Sequence, residues 1–141
     1  MLYKDKNYNE EARTVDKLIK QALLGDKNDN LDLLNIGCGT GRHDYEFTTL
    51  GYHTHGVDMS SDMINVAKQN YSREIENEDM FFEVGNFQNY RSDKEFDAVT
   101  SLFHVLSYQN RNEEVLESLS SAYDALKMGG YLCLTYGMDR A

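Results

Sequence analysis

The 141-residue chain lacks the features that mark membrane and secreted proteins. No apolar run approaches the ~20 residues of a membrane span, and the first residues lack the apolar core of a signal peptide. Proline and tryptophan are absent, and only two cysteines occur, Cys38 and Cys133. Without a secretory signal, these cysteines are expected to be free thiols in a reducing cytosol. We therefore predict a soluble, cytoplasmic protein.

Clustered basic residues are also missing. The chain has 14 lysines and arginines, scattered along its length, against 24 acidic residues, and its net charge is −10. Because phosphate backbones are bound by clustered basic side chains, a nucleic acid is not an expected partner. The acid excess is interpreted as a source of solubility. No histidine, cysteine and aspartate group has the spacing of metal ligands, so no metal is predicted.

Short apolar runs alternate with helical periods along the chain. Strands are predicted at 31–36, 53–58, 80–84, 96–102 and 131–136, and helices within 3–24, 43–50, 60–71 and 112–126. This alternation predicts an α/β fold with a parallel sheet and helices on both faces. We expect one domain, with a helical lead-in over 1–30 and a core over 31–141. Ligands of such sheets bind beyond the carboxyl ends of the strands.

The most informative motif is the glycine-rich turn after the first predicted strand. Gly37, Gly39 and Gly41 stand at alternate positions, and Asp58 ends the second predicted strand. A strand, a glycine turn, a helix and a second strand ending in an acid are typical of a nucleotide-cofactor site. Dinucleotide sites prefer the spacing G-x-G-x-x-G. The observed G-x-G-x-G therefore disfavours a dinucleotide-dependent oxidoreductase.

This spacing resembles motif I of the class I S-adenosylmethionine-dependent methyltransferases, of the type 11 or type 25 kind. The resemblance continues through four further segments, at 56–63, 83–87, 96–108 and 126–130. It implies a Rossmann-like three-layer sandwich with strand order 3-2-1-4-5. It also implies S-adenosylmethionine as cofactor and a small-molecule substrate.

The resemblance assigns roles to residues around the glycine turn. Gly37, Cys38 and Gly39 would cradle the cofactor, Asp58 would accept both ribose hydroxyls, and Met59 would pack on the adenine. A carboxylate suits the ribose because its two oxygens can accept two hydroxyl protons. The alternative for Asp58 is an acid that stabilises a helix N-terminus. Met63, four residues beyond Met59, is expected to pack in the core.

Other candidates lie at the ends of the remaining strands and near the N-terminus. By resemblance, Asn86 and Phe87 contact the adenine edge, Leu102 lines the methionine end of the cofactor, and Tyr8 covers it. Asn86 could instead be a turn former, and Tyr8 an aromatic residue that leads into a helix. His104 stands where a general base would act, although a structural or substrate-lining histidine is the commoner role.

The wording F-H-V-x-S-Y at 103–108, with the segment 6–12, resembles a narrower group of sugar-modifying methyltransferases. That group includes amino-sugar N-methyltransferases. The resemblance implies methyl transfer to an amino or hydroxyl group of a nucleotide-linked sugar. A cofactor-binding fragment or assembly module without catalysis is the alternative.

The chain departs from the family pattern at four points, one of which is Asn86 in place of the usual aspartate. Asn35 occupies the acid position of motif I, which is expected to weaken a contact towards the cofactor's amino group. Met128 replaces the usual proline of an L-K-P-G-G turn. The family's sixth and seventh strands are missing after Ala141, so we expect a truncated chain or a strand-5 edge sealed by a homodimer.

Overall fold

A computed structural model describes residues 7–23, 30–86, 90, 92, 94–101, 124 and 126–134, with the backbone alone for 127–134. Helices and strands alternate along these residues. The helices are α1 (Tyr8–Ala22), α2 (Arg42–Thr49), α3 (Ser61–Asn70) and α4 (Ser72–Glu76). The strands are β1 (Asp32–Ile36), β2 (His53–Asp58), β3 (Met80–Val84), β4 (Phe96–Ser101) and β5 (Leu126–Leu134).

The five strands form one sheet in the order β3-β2-β1-β4-β5, and every neighbouring pair is parallel. The predicted strand order is confirmed. β1 lies at the centre, and its chain neighbour β2 lies on one side while β4 lies on the other. The strand order therefore reverses at β1, and the loop that follows Ile36 opens at this switch point, where α/β sheets bind ligands.

Helices α1, α2 and α3 cover one face of the sheet. Ala12, Val15 and Ile19 of α1 repeat at helical spacing and pack with Leu33 of β1 and Phe47 of α2. The lead-in helix thus shares the core of the sheet. None of the described helices is long and apolar enough to cross a membrane.

The other face of the sheet carries a separate apolar cluster. Its buried members are Leu34, Ile36, Val57, Phe96 and Val99. Leu34 and Ile36 alternate along β1, because successive side chains of a strand point to opposite faces, whereas Phe96 and Val99 lie on either side of a register irregularity in β4. The helix predicted at 112–126 falls almost entirely outside the described residues.

The end of that predicted helix is wrong. Leu126 begins β5, whereas the helix was expected to include it, and strand five was expected to begin at Tyr131. Phe96 pairs with Leu126 and Ala98 pairs with Tyr131, so β5 holds extra residues between two paired positions. The glycine pair at 129 and 130 therefore lies in an irregularity of the strand, where glycines are common.

Helix α3 begins as predicted but turns one methionine outwards. The Ser60 hydroxyl accepts from the Met63 amide at 3.2 Å, which caps the helix. Ile64 and Ala67 are buried, but the Met63 side chain is 45% exposed. The expectation that Met63 packs in the core is wrong, because it lies outside the stripe that these two residues form.

Candidate functional site

The glycine turn between β1 and α2 has a backbone that only glycine adopts readily. Gly37, Gly39 and Gly41 have φ angles of 73°, 60° and 89°. The left-handed region costs other residues roughly 1–2 kcal/mol each, because Cβ approaches the following carbonyl. Their alternate spacing is thus a conformational requirement of this turn, which we call the glycine loop (37–41).

Backbone hydrogen bonds hold the glycine loop against β2. The amides of Gly37 and Cys38 both donate to the Val57 carbonyl, at 2.7 and 3.1 Å, and Gly41 donates to the Cys38 carbonyl at 3.1 Å. These amides are used within the protein. A ligand would therefore meet this part of the loop through close approach to the main chain, which the missing side chains permit.

Asp58 links the glycine loop to the end of β2. Its Oδ2 accepts from the Gly39 amide at 2.8 Å, and its Oδ1 accepts from the Ser60 amide at 2.9 Å. A carboxylate has about four lone-pair sites, so each oxygen keeps capacity for a second donor. Ser60, rather than Asp58, is the cap of α3. Asp58 is thus a fixed, half-buried acceptor beside the glycine loop.

Apolar side chains and a polar turn flank this carboxylate. Met59 is 56% exposed, and Val84 at the end of β3 is 52% exposed. The Gly85 amide donates to the Asp58 carbonyl at 3.0 Å, which holds the exposed Asn86 in the chain segment beside Asp58. A flat apolar group with polar edges could pack on Met59 or Val84 and form a hydrogen bond with Asn86.

Cys38 turns its side chain away from this surface. Its thiol is buried and packs with Ile64 of α3 and Phe82 of β3. Burial raises the pKa of the Cys38 thiol, and the carboxylates of Asp44 and Asp58 raise it further. The thiol therefore stays neutral. Because the side chain is buried, Cys38 could contact a cofactor only through its backbone.

Tyr8 lies where α1 meets the first turn of α2. Its ring packs edge-on against His43, with centroids 4.8 Å apart, and the Arg42 guanidinium lies 4.5 Å from its centroid. His43 is fully buried, and its Nε2 lies 2.7 Å from Oε1 of Glu11. These contacts join the N-terminal helix to the helix that follows the glycine loop.

One buried polar group escaped the sequence reasoning. Asn35 donates through Nδ2 to Oδ1 of Asp44 at 2.7 Å and accepts from the Thr100 hydroxyl at 2.9 Å. All three side chains are fully buried. The sequence marks Asn35 as a departure from the family acid, but no pattern marks Asp44, which looks like an ordinary acid in the first turn of a helix.

The structure brings most of the predicted site residues to one edge of the sheet. These are Gly37, Cys38, Gly39, Asp58, Met59 and Asn86. Tyr8 stands on α1 beside α2, next to the glycine loop. Phe87, Leu102 and His104 lie outside the described residues, so their roles stay predictions. Among the described residues, no three histidines, cysteines or acids are grouped as metal ligands.

Comparisons with known proteins identify the family. The profile of the methyltransferase domain matches residues 33–130. A curated N,N-dimethyltransferase of dTDP-3-amino-3,4,6-trideoxy-alpha-D-glucopyranose from Streptomyces venezuelae is 28% identical over 129 residues, which are 92% of this chain and 50% of that protein.

Solved structures agree with this match. Streptomyces venezuelae DesVI superposes with a TM-score of 0.83 at 26% identity, over 96% of this chain and 53% of that one. S-adenosylmethionine-bound CalS10, an amino pentose methyltransferase from Micromonospora echinaspora, gives 0.81 at 25% identity, over 96% and 56%. The chain spans about half the length of these proteins. It belongs to the methyltransferase domain family, whose cofactor is S-adenosylmethionine.

Proposed function

We propose that this chain binds S-adenosylmethionine along the carboxyl ends of β1, β2 and β3, and that the protein methylates an amino group of a nucleotide-linked sugar. The observation that carries the proposal is the geometry of Asp58. Two backbone amides hold its carboxylate beside a glycine loop that lets a ligand approach closely. A ribose offers the pair of neighbouring hydroxyl donors that the remaining lone pairs can accept.

The surrounding residues fit the rest of such a cofactor. Met59 offers an exposed apolar surface for the adenine, and Asn86 offers an amide for its polar edge. Cys38 would contribute its backbone alone, because its side chain is buried. Tyr8, held by Arg42 and His43, would cover the cofactor from α1.

When bound, the cofactor supplies an electrophilic methyl group on a positively charged sulfur, which is a good leaving group. The protein therefore contributes mainly by positioning the acceptor in line with that methyl group. A neutral amine needs little more than the loss of a proton at some stage, whereas a hydroxyl needs a base. His104 is our candidate for the base, with an unperturbed pKa of about 6.5 for a histidine.

The choice of acceptor follows the relatives. The Streptomyces venezuelae relative is named for a dTDP-linked amino sugar, and CalS10 is described as an amino pentose methyltransferase. We propose an acceptor of this chemical class. Turnover on a panel of nucleotide-linked amino sugars and matched hydroxyl sugars would test it, and methylation of the hydroxyl sugars alone would refute it.

Calorimetric titration tests the cofactor assignment. We expect the demethylated product, S-adenosylhomocysteine, to bind with micromolar affinity, and NAD to show no binding. Absence of S-adenosylhomocysteine binding, or preference for NAD, would refute the assignment.

His104→Gln should lower kcat towards a hydroxyl acceptor far more than kcat towards an amine if His104 is the base.

Variants of Asp58 test the ribose contact. Asp58→Ala should weaken S-adenosylhomocysteine binding at least about tenfold, because it removes the acceptors for the ribose and for two backbone amides. Asp58→Asn keeps one acceptor oxygen, so its affinity for S-adenosylhomocysteine should lie between that of the wild type and that of Asp58→Ala. The control is Asp62→Ala, an exposed acid in the first turn of α3. If Asp58→Ala binds like the wild type, the ribose assignment is wrong.

A cofactor-binding unit without turnover is the second candidate. The observation that favours it is that the described site residues, Asp58 and the glycine loop among them, are all candidates for holding the cofactor. Binding of S-adenosylhomocysteine without methyl transfer to any acceptor of the panel would support this candidate over the first.

We also propose that the chain self-associates through β5. Among the described strands, β5 pairs with β4 alone and forms an edge of the sheet. Exposed edges pair with other chains unless they are covered. Sedimentation should then show a concentration-dependent dimer, and a monomer at all concentrations would refute this proposal.

A further inference from the structure

A buried polar relay lies beneath the glycine loop. It runs from Thr100 in β4 through Asn35 in β1 to Asp44 in the first turn of α2, with hydrogen bonds of 2.9 and 2.7 Å. All three side chains have no exposed surface. Buried polar groups are costly unless they are paired, and these two bonds pair both polar atoms of the Asn35 amide.

The Asn35–Asp44 hydrogen bond joins the two ends of the glycine loop. Asn35 stands two residues before Gly37, and Asp44 stands three residues after Gly41. The loop backbone is held separately, by the amides that donate to Val57 of β2. The side-chain bond therefore holds α2 to β1 directly beneath the loop, in addition to the packing of Phe47 on Leu33.

The second carboxyl oxygen of Asp44 has a different environment. Oδ2 is buried and has no hydrogen-bond partner among the described residues. It faces Gly56 so closely that a Cβ on this glycine would lie 2.6 Å from Oδ2 and 2.8 Å from the Cys38 sulfur. A charge at this oxygen would be left without compensation, whereas the neutral carboxyl avoids most of that cost.

The charged and titratable groups around Asp44 favour its neutral form. Burial raises the pKa of Asp44 to about 7, Asn35 opposes the shift, and the like charge of Asp58 on β2 adds to it. The Cys38 thiol of the loop and the Tyr71 hydroxyl at the end of α3 also interact with Asp44, and burial raises the pKa of each. Asp44 thus changes charge near neutral pH.

We propose that Asp44 is a positioning residue for cofactor binding: while its carboxyl is neutral, the glycine loop stays closed over the buried Oδ2, whereas ionisation, which the bond from Asn35 does not offset, draws water to that oxygen, opens the loop and weakens binding. The proposal rests on the proposed cofactor site, which it deepens. It predicts that the cofactor is bound well only by the fraction of molecules in which Asp44 is neutral, so the apparent affinity falls as that fraction falls.

Exchanging the two residues gives a sharp test. In Asn35→Asp/Asp44→Asn, the new carboxylate can accept from Thr100 on one oxygen and from the new amide on the other. The loop keeps its closing bond, and no carboxyl oxygen is left without a partner. Asp44→Asn alone keeps the acceptor for Asn35 and cannot ionise. Both variants should close the loop at every pH.

The measurement is the affinity for S-adenosylhomocysteine by calorimetry at about pH 6 and about pH 8. Wild-type affinity should fall about tenfold across this interval, relative to Asp44→Asn and to the exchange variant, which should keep theirs. Taking ratios to Asp44→Asn cancels the titration of the ligand's own amino group. A wild-type to Asp44→Asn ratio that is the same at both pH values would overturn the proposal.

Hydrogen exchange gives a readout that needs no ligand. Corrected for the intrinsic rates, protection of the Gly39 and Gly41 amides should drop about tenfold between the same pH values in the wild type and stay constant in Asp44→Asn. Unchanged protection in the wild type would overturn the proposal. If no variant binds S-adenosylhomocysteine but protection drops as expected, the cofactor assignment fails while the loop-closing role of Asp44 stands.

Discussion

The glycine loop has an acid on each side, and the two acids differ in burial and in their hydrogen-bond partners. Asp58, on the open side, is half-buried and uses both oxygens to hold backbone amides. Asp44, on the buried side, is fully enclosed and has one oxygen without a hydrogen-bond partner. The comparison shows that an acid beside a cofactor loop can serve either as a ligand group or as part of the loop's support.

Access to solvent and the number of hydrogen-bond donors determine which of these two roles an acid has. An acid that keeps its hydration and gains backbone donors can stay ionised and offer lone pairs to a ligand. An acid that loses water without gaining enough donors does better when protonated. The same residue type therefore meets opposite surroundings on the two sides of one five-residue turn.

The packing of the buried side is tested by Gly41→Ala, for which we expect the largest effect. A Cβ at this position would lie 2.8 Å from the Phe82 ring, and φ is +89°. Backbone strain and overpacking together should lower the free energy of unfolding by about 3–5 kcal/mol. Gly51→Ala is the matched control, because its φ is +102° and nothing lies within 4 Å. Equal losses in urea unfolding would show that the contact with Phe82 is unimportant.

The charge of the buried acid is tested by the pH dependence of stability. The pKa of Asp44 is raised from 3.8 to about 7 in the folded protein, so its contribution is fully present below about pH 4 and is lost as pH rises through 7. Relative to the wild type, Asp44→Asn should gain on the order of 4 kcal/mol between about pH 4 and about pH 8.

Urea unfolding at several pH values measures this gain. Asp62→Asn, the same substitution at an exposed acid in the first turn of α3, is the control for the chemistry of the change. A constant difference between Asp44→Asn and the wild type across this pH range would show that the buried carboxyl does not titrate as the structure implies.

The open side is tested by Ser60→Ala, for which we expect the smallest effect. The variant loses the hydroxyl that caps α3, at a cost of about 1 kcal/mol. It keeps the Ser60 amide that donates to Asp58. Ser61→Ala, at the first helical residue, should cost less. Thermal unfolding compares the two, and a larger loss for Ser61→Ala would contradict the capping assignment.

The sequence predicts the framework of this site closely. The first four strands lie within one residue of their expected bounds. The positions of the alternate glycines and of Asp58 are likewise predicted correctly, because the residues of a turn are chosen by its local backbone conformation.

The errors arise where distant parts of the chain decide the outcome. Pairing with β4 draws Leu126 into β5 and overrides the turn signal of the glycine pair after it. The helical period does not say which edge of a stripe is exposed, so Met63 was misplaced. Nothing local distinguishes Asp44 from a surface acid, because its burial depends on Asn35, Gly56 and the closeness of β2.

The three left-handed glycines also govern how this loop can change over evolutionary time. Gly37, Gly39 and Gly41 cannot accept a side chain without strain, and Cys38 is committed to the packing between α3 and β3. Within this stretch of five residues, only Thr40 is a half-buried side chain on an unconstrained position. Substitutions that adapt the loop to a different ligand are therefore expected mainly at Thr40.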